Sequence, residues 1–228
     1  MRRASGTLIS AGTFLLTACS GGTPETLAER ASYAIGLDMG NSVEQMGGDL
    51  DLDILIRGLR DALGEQEPQM DQQETAQVMR EFFQQLQEAN AAQQQELMET
   101  NREEGNAFLA ENRTKAGVVA TPSGLQYEVL TEGSGLSPSA TNQVTVHYEG
   151  KLLDGNVFDS SYERGEPAVF RVSGVIAGWT EGLQLMKVGS KFRFFIPPNL
   201  GYGENGAGED IGPNATLIFE VELLGIEQ

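Results

Sequence analysis

The pattern of apolar and polar positions changes character twice along the chain. Residues Ala4 to Ala18 carry no charge and follow a short positive start, Met1-Arg2-Arg3. This is the texture of a secretion signal, and the run is shorter than the roughly 20 apolar residues a bilayer span takes. From there to about residue 113, apolar positions recur every three or four residues, the period of a helix with one buried face. Leu27, Ala31, Ala34, Ile35, Met39, Val43 and Met46 mark a first helix, with Thr23-Pro24-Glu25 as its start and Gly47-Gly48 as its end. Its stripe is partly small, and Gly36 and Gly40 lie close by, so another helix can approach it. An Asp51 or Asp53 cap opens a second helix through Ile54, Leu55, Leu59, Ala62 and Leu63, closed by Gly64. Asp71-Gln72-Gln73-Glu74 then has the form of a capping box, and neither glycine nor proline follows before Gly105. The pattern predicts one long helix over about 72–113, roughly 60 Å at 1.5 Å per residue, or two shorter helices that break near Gly105. Val78, Met79, Phe82, Phe83, Leu86 and Ala89 give its first part an apolar stripe. Asn90 to Gln95 has little to bury, the texture of a helix that spans between domains.

After Gly117 alternation replaces the helical period, punctuated by Gly and Pro. Leu125–Leu130, Val144–Leu153, Val169–Val172, Lys191–Ile196 and Ala215–Ile226 read as strands. Thr131–Thr141 and a glycine-rich stretch over 201–212 read as loops, and Asp154-Gly155 as a turn. One short helix enters at Val175-Ile176-Ala177-Gly178-Trp179 and stops near Gly189, with Trp179, Leu183 and Met186 on one face. Five or so antiparallel strands and one short helix make an α+β domain with a half-wrapped sheet, preceded by an all-α region.

Composition narrows what such a chain does. Its 228 residues and 39% hydrophobic content suit one or two globular domains with a sizeable core. A net charge of -18 repels phosphates, so nucleic acid is not an expected partner. One cysteine excludes an intramolecular disulfide and one histidine excludes a His-rich metal site. His147 sits inside a strand with apolar neighbours and reads as a structural, hydrogen-bonded residue, which leaves a hydrolase without its base. The acidic stretches lack metal-ligand spacing, and neither metal nor cofactor is expected. Two short helices and half of a long one bury little, so that unit is marginal alone. A homodimer through residues 24–90 would offset this.

The candidate chemistry centres on the sole tryptophan, Trp179, directly after a glycine at a helix entrance. Its indole suits the floor of an apolar pocket with Tyr148, Phe158, Phe170, Tyr202 and Phe219 as walls. Asp159, next to Phe158, reads as a turn acid or a pocket carboxylate.

Five ordered motifs carry a resemblance: Val146-His147-Tyr148-Glu149-Gly150, Phe158-Asp159-Ser160-Ser161, Val175-Ile176-Ala177-Gly178-Trp179, Gly201-Tyr202-Gly203 and Ala215-Thr216-Leu217-Ile218-Phe219-Glu220-Val221-Glu222-Leu223-Leu224. Over about residues 120–226 they are similar to the FK506-binding-protein type of peptidyl-prolyl cis-trans isomerase. Residues 24–115 resemble, less specifically, the helical dimerisation region of the macrophage-infectivity-potentiator branch of that family. Leu16-Thr17-Ala18-Cys19-Ser20 resembles a bacterial lipoprotein signal with Cys19 as the acylated first mature residue. Together these imply a signal peptide at 1–18, an acylated tether at 19–23, a helical dimerisation domain at 24–115 with its linker helix, and an isomerase domain at 116–228.

The resemblance implies a prolyl pocket in which Tyr148, Phe158, Asp159, Ile176, Trp179, Tyr202 and Phe219 act on the substrate, with Phe170, Val175 and Ile211 as binding walls. The proline ring would sit over Trp179, and the Ile176 N–H and Tyr202 hydroxyl would bond substrate carbonyls. Implied partners are unfolded or proline-containing polypeptides, a second copy of the chain, the membrane through Cys19, and macrolides of the FK506 or rapamycin type. The implied location is the envelope: periplasmic, on the outer membrane. Ala168 replaces a pocket phenylalanine common in the family, Ala207 a loop histidine of the human archetype, and Ile211-Gly212-Pro213 the usual Ile-Pro-Pro; these imply a wider pocket and a looser flap. A competing reading keeps the fold but makes the protein a holdase-type chaperone or adhesion module with a vestigial pocket.

Overall fold

The computed structural model describes residues 22–64 and 66–227. The expected signal peptide and acylated Cys19 lie outside the described residues. The chain divides into two compact units, one up to Thr75 and one from Ala76 onward.

In the first unit, α1 (Leu27–Met46) starts three residues later than Thr23-Pro24-Glu25 suggested. Thr26 is the cap: its hydroxyl accepts from the Glu29 N–H at 3.2 Å, while the Glu29 carboxylate accepts from the N–H groups of Thr26 at 2.9 Å and Glu25 at 3.0 Å. This reciprocal box satisfies donors that a proline at the first position merely dispenses with, so it decides where the helix begins. Gly47, at φ 71°, ends it. The cap of α2 (Leu52–Ala62) is Asp51, whose carboxylate accepts from Asp53 and Ile54.

The long helix α3 (Gln72–Asn112) begins behind an Asp71 cap that accepts from Gln73 and Glu74, both at 2.8 Å. It runs unbroken through Gly105. That glycine is buried, and a Cβ there would lie 2.3 Å from Thr216 Oγ1. Close approach, not a helix break, is why glycine stands there.

The second unit holds seven antiparallel strands where five or so were expected: β1 (Val118–Ala120), β2 (Gln126–Thr131), β3 (Gln143–Lys151), β4 (Val157–Ser160), β5 (Ala168–Arg171), β6 (Lys191–Ile196) and β7 (Leu217–Glu227). The two additions, β1 and β4, are three and four residues long, too short to show an alternation. The order is β1-β2-β6-β7-β3, and the far edge of β3 is shared by β5 at one end and β4 at the other. β3 ends at Lys151 rather than Leu153 because Leu152 to Asn156 closes a turn around Gly155, at φ 91°. A one-turn helix, α4 (Ser161–Arg164), follows β4.

Helix α5 (Ala177–Leu185) covers the apolar face of the sheet. Its glycines set the distance: a Cβ on Gly178 would lie 2.7 Å from Ile196, and one on Gly182 would lie 2.6 Å from the Phe194 ring. The helix therefore sinks onto β6, and Leu183 and Met186 join Val144, Val146, Phe194, Ile196, Leu217, Val221 and Leu223 in a fully buried core. Each such side chain contributes about 1.5–3 kcal/mol on burial, enough to fix where the first turn of α5 stands.

Candidate active site

That first turn carries Trp179, 3% exposed. Three rings meet the indole edge to face: Tyr148 at 5.2 Å, Phe170 at 5.6 Å and Phe219 at 5.2 Å between centroids. Phe158 stands against Phe219 at 5.4 Å. Such T-shaped contacts are the favoured aromatic geometry. The indole Nε1–H finds no partner among the described residues, so packing alone orients the ring.

The rings do not close over one another. They surround a cleft of about 650 Å³ lined by Tyr148, Phe158, Asp159, Phe170, Gly174, Val175, Ile176, Trp179, Tyr202, Ile211 and Phe219. All ten residues expected at the pocket are thus brought together, and a five-membered ring has room there. Gly174, which precedes Val175, was not foreseen.

Two local features place the walls. Successive strand residues normally face opposite ways, yet Phe158 and Asp159 both line the cleft. The β3–β4 register explains this: Gly150 pairs with Asp159 and the next residue, Lys151, with Val157, leaving Phe158 as an extra, bulged residue. Gly150 also makes room, since a Cβ on it would fall 2.6 Å from Phe219 and 2.7 Å from Phe158. Ile176 is the residue that caps α5, so its own N–H lies outside the helical ladder.

Asp159 is held at the rim by two groups. The Tyr148 hydroxyl donates to its Oδ2 at 2.5 Å, and Arg164 forms an ion pair with its Oδ1. Arg164 also donates to the Tyr148 hydroxyl at 2.8 Å and places its guanidinium 5.4 Å from the Tyr148 ring centre. Burial, then the bond to Asp159, pushes the Tyr148 hydroxyl above its usual pKa of 10.0, against the opposing effect of Arg164. Burial, then the Asp159 charge, does the same to Tyr202, which is 40% exposed at the mouth. Arg164 is shifted further up by its bonds to Asp159 and Tyr148. Sequence reasoning missed Arg164, although it stands just beyond the Phe158-Asp159-Ser160-Ser161 motif. Only the single turn of α4, capped by Ser160 and ended by Gly165 at φ 76°, returns it to Asp159.

His147 is outside the cleft. Its Nδ1 lies 2.9 Å from the Ser161 hydroxyl, which also bonds both backbone groups of Tyr148, and its ring stacks on Tyr162 at 4.7 Å. Ala168 packs half-buried against the core opposite Val146, and Ala207 forms a two-bond bridge with Ile211.

Two family models match this chain: FKBP-type peptidyl-prolyl cis-trans isomerase over residues 135–224, and the domain amino-terminal to it over residues 28–129. A probable FKBP-type peptidyl-prolyl cis-trans isomerase FkpA of Neisseria meningitidis serogroup B is 45% identical over 201 residues, covering 87% of this chain and 74% of that protein. The chain belongs to the FKBP-type peptidyl-prolyl cis-trans isomerases. The outer membrane protein MIP of Legionella longbeachae is 40% identical over 200 residues, 88% of this chain and 86% of that one. The crystal structure of FkpA from Escherichia coli matches with a TM-score of 0.71 at 36% identity, covering 90% of this chain and 99% of that chain. The α+β architecture with a helical amino-terminal region and a long helix is the FKBP-type arrangement that this neighbour shares.

Proposed function

We propose that the cleft over Trp179 is the catalytic site and that it turns X–Pro bonds in polypeptides folding outside the cytoplasm. The observation that carries this reading is an open, ring-walled cleft whose only ionisable side chains are Asp159, Tyr148 and Tyr202. Prolyl isomerisation needs no more. Resonance opposes rotation by roughly 18–20 kcal/mol, and the uncatalysed X–Pro step takes about 10–100 s. The planar amide is charge-separated and the twisted one is not, so an apolar, water-poor wall favours the twisted form. Trp179, Phe158, Phe170 and Phe219 supply that wall and hold the ring still while the carbonyl side swings. The Ile176 N–H, outside the helical ladder, and the Tyr202 hydroxyl, both from residues lining the cleft, donate to substrate carbonyls in this reading. Asp159, tied to Tyr148 and Arg164, fixes the polar edge. A macrolide with a proline-like ring would compete for the same space.

The test is a protease-coupled or NMR exchange assay on an X–Pro peptide, with Trp179→Leu and Asp159→Ala alongside. Unchanged turnover in both variants would refute this site.

The membrane anchor at Cys19, the outer-membrane location and the dimer belong to the same proposal. The name of the Legionella relative, an outer membrane protein, agrees with an envelope site. For the dimer the support is physical: among the described residues of α1 and α2, none is buried. Ile35, Met39, Val43, Leu55 and Leu59 line an open groove, and Leu27, Leu52, Ile54 and Leu63 are more than half exposed. So much apolar surface calls for a cover, and a second copy supplies one. The same groove favours a holdase reading, in which unfolded clients occupy it. Aggregation suppression that survives deletion of residues 24–75 would exclude that role.

A further inference from the structure

Beyond Ala76, α3 lays one face on the catalytic unit. Leu97, Asn101, Gly105, Phe108 and Asn112 recur at helical spacing and share that face. Its end is docked on the sheet: Asn112 Nδ2 donates to Gln126 Oε1 at 3.0 Å, Gln126 Nε2 donates to the Leu109 carbonyl at 2.9 Å, and Phe108 meets Phe195 at 5.8 Å.

The Leu97–Asn101 turn touches something else, the turn directly behind Ile211. Asn101 Nδ2 donates to the Pro213 carbonyl at 2.8 Å, and Asn214 Nδ2 donates to the Met98 carbonyl at 3.4 Å. Gly212 lets the helix come so near, because a Cβ there would lie 3.2 Å from both Asn101 Nδ2 and Leu97 Cδ2. Its φ is not among the positive ones, so it is the close approach and not the backbone conformation that favours glycine there. The same turn is wired to both sides of the loop that closes the cleft. Asn214, at φ 55°, donates its N–H to the Gly203 carbonyl at 2.8 Å, next to Tyr202. Ile211 and Ala207 exchange backbone bonds at 2.8 and 3.1 Å. What holds Pro213 therefore holds Ile211 on one side and Tyr202 on the other.

We propose that Asn101 is a positioning residue for the prolyl cleft: its side-chain amide anchors the Pro213 carbonyl and so sets how Ile211 and Tyr202 lean over the substrate. The proposal rests on the reading of this cleft as the isomerase site, and it makes the far half of α3 part of the enzyme. The walls so placed contact planar and twisted proline alike, so their loss weakens binding more than it slows rotation.

The test uses the full chain and a tetrapeptide with one central X–Pro bond. Turnover gives kcat and KM; emission of Trp179, the sole tryptophan, gives the peptide Kd. Asn101→Ala, and the near-isosteric Asn101→Asp, which offers no N–H, each raise KM and Kd about five-fold, the scale of one lost hydrogen bond. In both, kcat stays within about two-fold. Gly212→Ala, which approaches the same contact from the loop side, shifts KM and Kd in the same direction. Glu99→Ala, at an exposed site on the same helix, changes neither. Folded Asn101 variants with wild-type KM and Kd overturn the proposal even if their melting temperature falls. A wild-type chain that binds the peptide without turning it over refutes the isomerase reading alone, and the Trp179 titration still decides Asn101. A wild-type chain that does neither overturns both.

Discussion

Asp159 is the shared acceptor in a polar cluster with Tyr148 and Arg164 at the rim of a mostly apolar cleft. Removing its carboxylate leaves the Tyr148 hydroxyl and the Arg164 guanidinium without their shared acceptor. Asp159→Ala should lower kcat/KM at least about ten-fold, or about 1.4 kcal/mol of transition-state stabilisation, as read in the X–Pro peptide assay. Arg164→Ala should show a smaller loss of the same kind, because Tyr148 still donates to Asp159. Trp179→Leu should lower kcat/KM by a similar factor and also the melting temperature, since the lost ring contacts Tyr148, Phe170 and Phe219 at once. The raised pKa values of Tyr148 and Tyr202 predict a pH profile set by neither phenol across the neutral range. Folding favours the protonated phenols, so their contribution is fully present below pH 10.0, the usual value, and is lost as pH rises through the higher folded values. A fall in kcat/KM tracking a phenol at pH 7–9 would contradict this.

At the scale of elements, Gly105 inverts the usual expectation for a helical glycine. In an open helix interior, replacing Gly by Ala gains about 1 kcal/mol. In α3, Gly105→Ala should instead lower the melting temperature, because the added methyl meets the buried Thr216 hydroxyl at 2.3 Å. A differential scanning experiment on the full chain decides the sign. The ladder between β6 and β7 gives a second prediction. Burial pushes Glu220 up, but bonds from Arg193 and Lys191 outweigh it and hold its carboxyl below 4.5. A depressed carboxyl stabilises the fold above its unfolded value, so that contribution should fade as pH falls below about 4.5. Glu220→Gln should flatten the acid limb of the stability curve.

The elements also show where sequence reading succeeds and where it stops. A capping box with no glycine or proline behind it is legible, so one of the two readings of α3 lies within a residue or so of Gln72–Asn112, while a break at Gly105 stays open until its contact with Thr216 is seen. The rings and Asp159 stood in ordered motifs that could be read one by one. What stayed hidden depends on contacts between distant segments. Arg164 matters only because a single helical turn brings it back to Asp159. The glycine at 212 looked like a looser flap, yet in the structure it is the point where α3 grips the loop. The start of α1 was a contest between two local signals, proline at 24 and the box of Thr26 with Glu29, and the one forming more hydrogen bonds prevailed.

At the scale of the molecule, the two units need different things to stand. The unit from Ala76 on closes its own core, whereas α1 and α2 leave theirs open. Sedimentation or light scattering should therefore report a dimer, and a charge placed in the groove, as in Val43→Asp or Leu59→Asp, should yield monomers. Turnover of a short X–Pro peptide should survive that change within about two-fold, since every residue lining the cleft lies beyond Ala76. A chain that remains dimeric with Leu59→Asp would place the contact elsewhere.

The lining of the cleft has one more consequence. It contains no cysteine, serine, lysine or histidine. Its phenols and single carboxylate are weak nucleophiles beside a thiolate or an activated serine, so warheads built for those two groups find no such target on the lining. A molecule that stays in the cavity by fit is the inhibitor such a lining suits, and its inhibition lifts whenever the molecule leaves.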